Sequence, residues 1–147
     1  MLKIKPISES EYSTWYPLWQ GYLTFYEASL PDEIAENNWR RFHDASEPIV
    51  ALGAYVDEKL VGFVHYIFHR TNWAIADTCY LQDLYADPAV RGTGAGRALI
   101  EAVYAAAKEN GSPDVYWITQ DHNKTARKLY DRIADLSGFV HYEKQLD

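Results

Sequence analysis

The period of the apolar positions changes several times along this chain, and each change marks an element. Leu2 to Ile7 alternates and has Pro6 near its end, which fits a short edge strand. Ser8 and Glu11 have the spacing of a capping box. The stretch after them, to about Ser29, is dense in aromatics, with Tyr12, Trp15, Tyr16, Trp19, Tyr22, Phe25 and Tyr26, and reads as a helix. Pro17 falls inside it and is expected to kink or divide that helix, because proline has no N–H to donate and crowds the preceding turn. Most of these aromatics belong to a core, and spacing alone does not tell which of them line a cleft. Pro31 and Asp32 open a second helix that runs through Trp39 and Phe42.

Ile49–Val56 and Leu60–Phe68 are rich in branched and aromatic residues, and Asp57, Glu58 and Lys59 make a tight turn between them, so the two form a hairpin. Trp73 to Ala86 reads as a long third strand of the meander, ended by Asp87-Pro88. A helix then starts at Gly94 or Ala95 and lasts to Asn110. Leu99, Ile100, Val103, Tyr104, Ala106 and Ala107 give it a broad apolar face, Arg97, Glu101 and Lys108 lie on the other side, and Gly111 closes it. Asp114–Thr119 reads as a short buried strand, parallel to the third because a strand–helix connection precedes it. Asn123 begins a last helix on which Ala126, Leu129, Tyr130 and Ile133 face one way. Gly138 is expected to stop it, and Phe139–Gln145 alternates as a final strand. The expected order is β-α-α-β-β-β-α-β-α-β, a single mixed sheet with helices on its faces.

At 147 residues the chain suits one domain, 1–147, and 48% hydrophobic content fills a core generously. It contains no apolar run long enough to span a bilayer, and its N-terminus lacks a signal peptide's apolar segment. Cys79 is the single cysteine, which leaves no internal disulfide and no multi-cysteine metal site. A cytoplasmic protein without a membrane partner is the plain expectation. The formal net charge of −7 repels nucleic acid phosphates, so no nucleic acid partner is expected. On charge alone the acidic surface is explained by solubility.

The candidate chemistry centres on Tyr80 to Ile100, where a strand runs out into a glycine-rich turn and the turn opens a helix. Backbone N–H groups without internal partners, together with the positive end of the helix dipole, suit an anion such as a phosphate. Arg91, just before the turn, adds a charge matched to phosphate oxygens. A dinucleotide fingerprint would need a third glycine at Arg97 or Leu99, and the Gly-Lys-Ser/Thr of a P-loop is absent.

Arg91–Gly96 matches the [RQ]-x-x-G-x-[GA] signature and resembles the GNAT N-acetyltransferase superfamily. Asn123, Ala126, Leu129, Tyr130 and Gly138-Phe139 look like a second block of that family, N-x-x-A-x-x-L-Y…G-F. AspLeuTyrAlaAspPro before the turn and ValTyrTrp in the next strand look most like the branch of small protein or histone acetyltransferases and diamine acetyltransferases. The resemblance implies a mixed α/β (α+β) fold with a mostly antiparallel sheet splayed between two parallel strands and helices on both faces. It implies acetyl transfer from acetyl-CoA to an amine, without a metal. The cofactor site would draw on Leu84, Tyr85, Ala86, the turn Arg91, Gly92, Thr93, Gly94, Ala95, Gly96 and Arg97, and on Asn123 and Tyr130. The pyrophosphate would sit on the amides of Gly92, Gly94 and Gly96, and the pantetheine arm would pair with strand backbone at Leu84 and Ala86. A backbone N–H near Leu84 would face the thioester carbonyl, and Tyr130 would act as the general acid toward the leaving thiolate.

Two departures from the family pattern stand out. Gln82 occupies the place where that branch often has a glutamate base, so Asp83, Glu27, Glu33, His65 or a water chain must serve instead. Seven residues lie between Tyr130 and Gly138, more than the family's common spacing. The net charge and the acidic residues Glu27, Asp32 and Glu33 favour a cationic acceptor. The family often forms dimers through its C-terminal strands, which implies a homodimer. A CoA-binding module without turnover, with Gln82 as the lost base, is the alternative, and a transferase for a longer acyl group is a third reading.

Overall fold

Strands β1 (Leu2–Pro6), β2 (Ile49–Val56), β3 (Lys59–His69) and β4 (Thr78–Ala86) form an antiparallel meander, and β5 (Val115–Tyr116) joins β4 in parallel. The computed structural model describes residues 1–147 except Arg91. Helices α1 (Tyr12–Phe25) and α2 (Asp32–Phe42) cover one face of the sheet, where Trp15, Trp19, Trp39, Tyr55, Leu60 and Phe63 form a buried cluster. Helix α3 (Ala95–Glu109) covers the other, packing Leu99, Ile100 and Val103 on Val61, Val64, Cys79 and Leu81. Each such fully buried aliphatic side chain stabilises by roughly 1.5–3 kcal/mol relative to its exposed state. Helix α4 (Lys124–Ile133) lies at the rim of this second core, with Leu129, Tyr130 and Ile133 half-buried against it.

The Ser8–Glu11 capping box forms, and it caps a short 3-10 turn that leads into α1. The helix runs through Pro17 undivided, so of the two expected effects, a kink or a division, the division does not occur. Pro17 removes one hydrogen bond near the helix start, and Trp15 and Trp19, buried on either side of it, hold the two halves to the same sheet face. The helix ends at Phe25 rather than Ser29. Glu27 takes a left-handed φ of 54°, and the amides of Glu27 and Ala28 reach back to the carbonyls of Thr24 and Leu23, the two bonds of a Schellman cap. In the hairpin, Asp57 and Glu58 both have positive φ and Val56 pairs with Lys59, a two-residue turn whose twist matches its strands.

Three further expectations are corrected. The third strand of the meander is Thr78–Ala86, not Trp73–Ala86. Its supposed first half has no strand to pair with, because β3 already ends at His69, and Trp73 and Ile75 are 89% and 101% exposed. The buried strand Asp114–Thr119 shrinks to Val115–Tyr116, half-buried to exposed. The final strand Phe139–Gln145 does not form: α4 stops at Ile133, well before Gly138, and Phe139 and Tyr142 stand 80% and 90% exposed. Its alternation is that of a strand, but a strand without a neighbour has no ladder to hold it.

One polar contact ties α4 down. The Tyr104 hydroxyl, on α3, donates to the Ile133 carbonyl at 2.8 Å. Tyr104→Phe is expected to cost about 1 kcal/mol of stability by chemical denaturation and to speed hydrogen exchange in α4 more than in α3. Equal protection of both helices in the variant would show that the contact does not anchor α4.

Candidate active site

Two β-bulges set which side chains meet. Val61 is the extra residue on β3 and Gln82 the extra residue on β4. Before the Gln82 bulge, Cys79 and Leu81 face α3; after it, Leu84 and Ala86 do. The bulge therefore sends Asp83 and Tyr85 to the α1 face and leaves Gln82 exposed.

Strands β4 and β5 pair only at Cys79–Val115 and Tyr80–Tyr116. Beyond these pairs the two segments part, and a cavity of about 480 Å³ opens between Tyr80–Leu84 on one side and Trp117–Gln120 on the other. Tyr22 of α1, Tyr26 just past its end, Tyr130 of α4, and His141 and Glu143 of the C-terminal segment complete its wall. Backbone direction along β4 follows from one hydrogen bond. The Asp87 amide donates to the Val61 carbonyl at 2.8 Å, so residues 85 and 87 point their backbone groups at β3. Leu84 and Ala86 then point theirs away from β3, toward the splayed side.

Of the two carboxylates that line this cavity, Asp83 and the exposed Glu143, Asp83 is the shielded one. Its side chain is 13% exposed, and both oxygens are held: Oδ1 accepts from the Tyr22 hydroxyl at 2.6 Å, and Oδ2 lies 2.9 Å from His65 Nδ1. His65 is 1% exposed, and its Nε2 accepts from the Trp15 indole N–H at 3.2 Å. Burial, then the Asp83 charge, raises Tyr22 far above the usual tyrosine value, and the same two causes raise Tyr26. Tyr130 is pushed up to about 12 by burial and then by neighbouring Tyr26, so its hydroxyl stays protonated across the neutral range. The Tyr130 ring packs edge-on against Trp117 at 5.3 Å. Glu27 and Glu33 are exposed and line neither this cavity nor a smaller one of about 300 Å³ between α1 and α2. Asp32 lines the smaller one, bonded to the Tyr16 hydroxyl.

The glycine turn follows β4. Gly92 and Gly94 both have φ of 82°, and Gly94 caps α3 without any side chain bonding to the helix end. The first amides of α3 are thus left to an outside acceptor. A Cβ placed at Gly92, Gly94 or Gly96 would meet nothing within 4 Å. At Gly96, whose backbone is helical, the chain's own packing does not call for glycine, and the open space above the turn suits a group that comes close to the backbone. Arg91 lies outside the described residues. Thr93 donates its hydroxyl to the Val90 carbonyl at 2.7 Å, Ala95 is buried in the core, and Arg97 pairs with Glu101 at 2.6 Å on the exposed side of α3. Asn123 caps the start of α4 and donates to the Thr119 hydroxyl at 3.3 Å. The Tyr85 ring lies on the α1 face against Phe63, and its backbone groups turn to β3, so Tyr85 does not line the cavity. Cys79 is fully buried and pushed up to about 11, first by burial. Among the described residues no cluster of His, Cys, Asp and Glu could hold a metal ion, and no helix is long and apolar enough to cross a membrane.

A family model described as the acetyltransferase (GNAT) family matches residues 12–134. The chain belongs to this family. As a GNAT protein it is 35% identical to a D-amino-acid N-acetyltransferase of Saccharomyces cerevisiae over 143 residues, 96% of this chain and 89% of that one. It is 32% identical to a thialysine N-epsilon-acetyltransferase of Sus scrofa, over 74% of this chain and 62% of that one. An aminoglycoside N-acetyltransferase solved with a bisubstrate analogue of CoA superposes with a TM-score of 0.85 at 16% identity, over 100% of this chain and 99% of that one. A ribosomal-protein-alanine N-acetyltransferase from Brucella melitensis superposes with a TM-score of 0.80 at 23% identity, over 99% and 100%. These superpositions establish the GNAT fold, a mixed sheet with helices on both faces.

Sequence reasoning named Tyr130, Leu84 and Asp83, and these three border one cavity. It did not single out Tyr22, Tyr26 or Tyr80 as lining. Tyr22 and Tyr26 are spaced i, i+4 after Trp15 and Trp19, and the same stripe serves a core as well as a cleft. It named His65 and Asp83 as separate candidates, without joining them. Their contact depends on the bulge at Gln82, for which the sequence carries no sign.

Proposed function

We propose that this GNAT protein transfers the acetyl group of acetyl-CoA directly to a primary amine of a polyamine, a protein lysine or another small acceptor. The observation that carries this reading is the splay between β4 and β5, which gathers a strand backbone, a protonated tyrosine and a held carboxylate around one cavity. The uncapped glycine turn at the start of α3 fits the pyrophosphate: its amides of Gly92, Gly94 and Gly96 donate, and the missing Cβ atoms leave the approach open. Leu84 and Ala86 would offer strand backbone to the pantetheine arm. Bound acetyl-CoA supplies a thioester whose acyl carbon is open to an amine and whose sulfur leaves as a thiolate. The Leu84 N–H then stabilises charge on the acyl oxygen. Tyr130 donates its hydroxyl hydrogen toward the departing sulfur. Asp83 holds the acceptor's ammonium, with a free amine pKa of roughly 10.4, and takes one proton from it before the freed nitrogen attacks; the second N–H proton leaves as the tetrahedral carbon collapses and ends on the CoA sulfur, while solvent takes the proton from Asp83.

The test is release of free thiol from acetyl-CoA over a panel of amines, repeated with propionyl- and succinyl-CoA. Thiol released with acetyl-CoA and a cationic amine is the expected result. CoA binding without thiol release from any amine would make the chain a non-catalytic CoA-binding module. A protein that acetylates only neutral or acidic acceptors would show that the acidic charge serves solubility alone.

The same reading takes 1–147 as one acetyltransferase domain working in the cytoplasm as a homodimer. Support for the dimer comes from Phe139, Val140, Tyr142 and Leu146, an exposed alternating apolar segment with no strand beside it in its own chain. Sedimentation at a single monomer mass would remove the dimer from this proposal.

A further inference from the structure

Four side chains from three elements form one unbroken line from the aromatic core to the cavity: Trp15, His65, Asp83 and Tyr22. The donors in that line are fixed by chemistry. An indole nitrogen only donates, so His65 Nε2 must accept and carries no proton. The remaining ring hydrogen is on Nδ1 and faces Asp83 Oδ2 at 2.9 Å. A tyrosine hydroxyl beside a carboxylate donates, so Tyr22 satisfies Oδ1. The line therefore begins and ends in donors, and its single charge is the carboxylate between them.

Nothing else near His65 competes for this arrangement. The rings of Trp15 and Trp19 face it from α1, Phe42 from α2 and Phe63 from β3, while Ala51 lies opposite on β2. Among these described neighbours the one ionisable group is Asp83, itself faced by the hydroxyls of Tyr22, Tyr26 and Tyr80. A second proton on His65 would have to displace the indole N–H inside a dry aromatic cluster.

We propose that Trp15 and His65 are positioning residues for Asp83: the indole N–H fixes the imidazole as its Nδ1–H tautomer, and that tautomer holds the carboxylate as an oriented anion for the ammonium group of the acceptor. The proposal rests on the reading of Asp83 given under the proposed function. It adds the reason why the Asp83 carboxylate keeps one orientation in a cavity that it shares with the hydroxyls of Tyr22, Tyr26 and Tyr80 and, from the C-terminal segment, with His141 and Glu143. Without its two donors the carboxylate is free to turn. The line also explains why a tryptophan, rather than a phenylalanine, fits the centre of the α1 stripe.

The experiment combines four variants with a direct view of the ring. Nitrogen NMR of the ligand-free protein is expected to find the His65 proton on Nδ1 and a bare Nε2 at neutral pH. A proton on Nε2 overturns the proposal whatever the variants do. His65→Gln keeps an acceptor for Trp15 and a donor for Asp83, since the amide oxygen and nitrogen stand about as far apart as the two ring nitrogens. His65→Leu keeps the volume and loses both. In the leucine variant the KM for an alkyl diamine (putrescine) should rise about tenfold or more, with the acetyl-CoA KM unchanged. In the glutamine variant most of that loss should be recovered. Relative to wild type, Trp15→Phe should lose more activity at acidic than at alkaline pH, because Nε2 is then open to a proton, and Trp15→Phe combined with His65→Gln should return to the wild-type pH profile. Equal impairment in the glutamine and leucine variants, or an extra acid-side loss that survives in the double variant, would mean that His65 and Trp15 only fill space. Calorimetric binding of putrescine carries the same comparison without turnover. If the wild type binds it but transfers no acetyl group, the acetyl-transfer reading fails and the positioning line stands; if the wild type does not bind it, the positioning line fails.

Discussion

Tyr130→Phe is expected to lower the single-turnover rate of acetyl transfer by about 10²–10³-fold while thermal stability and CoA affinity hold. The ring stays, so its contact with Trp117 at 5.3 Å and its place beside α3 stay with it. What goes is one hydroxyl group from the wall of the cavity. The size of the effect follows from the acidity of the group. The hydroxyl is pushed up to about 12 by burial, whereas a thiol titrates near 8.5, so complete proton transfer to the sulfur is uphill by roughly three to four units. Tyr130 therefore acts by a hydrogen bond that strengthens as charge grows, and the expected loss is that of a missing charge-stabilising donor. Single-turnover rates are the proper measure, because slow product release hides a chemical defect. Wild-type rates in the variant would return Tyr130 to the rim of the core.

Gly94→Asp should weaken CoA binding by on the order of a hundredfold, since like charges in close contact cost several kcal/mol. Gly94 has φ of 82° at the start of α3 and nothing within 4 Å of its missing Cβ. Asp is one of the few residues that tolerates left-handed φ, so the turn survives and a carboxylate enters the space assigned to the pyrophosphate. Gly94→Asn has nearly the same shape without the charge and should lose far less. The gap between the two should narrow as salt is raised. Calorimetry that finds CoA binding unchanged in Gly94→Asp would place the phosphates elsewhere, and equal losses in the two variants would assign the effect to shape.

Much of the fold was legible in the residues because local rules settle it. The Ser8–Glu11 box, the Asp57-Glu58 turn and the Gly111 cap are satisfied within a few residues of themselves, and the apolar face of α3 repeats at the helical period, so sequence alone placed them. The glycine turn and Tyr130 were visible as motifs for the same reason: one is a backbone geometry that wants glycine, the other a helix position at a fixed interval from Asn123. Strand ends were not legible. Trp73–Asp77 and Phe139–Gln145 alternate as well as real strands do, but a strand exists only where a neighbour offers its hydrogen bonds, and no neighbour is there.

The site divides along the same line. By itself the sequence determined which groups are on offer: a glycine turn ahead of a helix, a tyrosine on the last helix, and a carboxylate beside Gln82. Only the tertiary structure decided which groups meet. The extra residue at Gln82 reverses the alternation of β4, so Asp83 turns to the α1 face and Leu84 and Ala86 come to lie over α3. That single shift brings Asp83 to His65 and Tyr22, residues 18 and 61 positions away, and through His65 to Trp15. A bulge is a property of the ladder between two strands, set by how both pack, and neither strand's residues encode it alone.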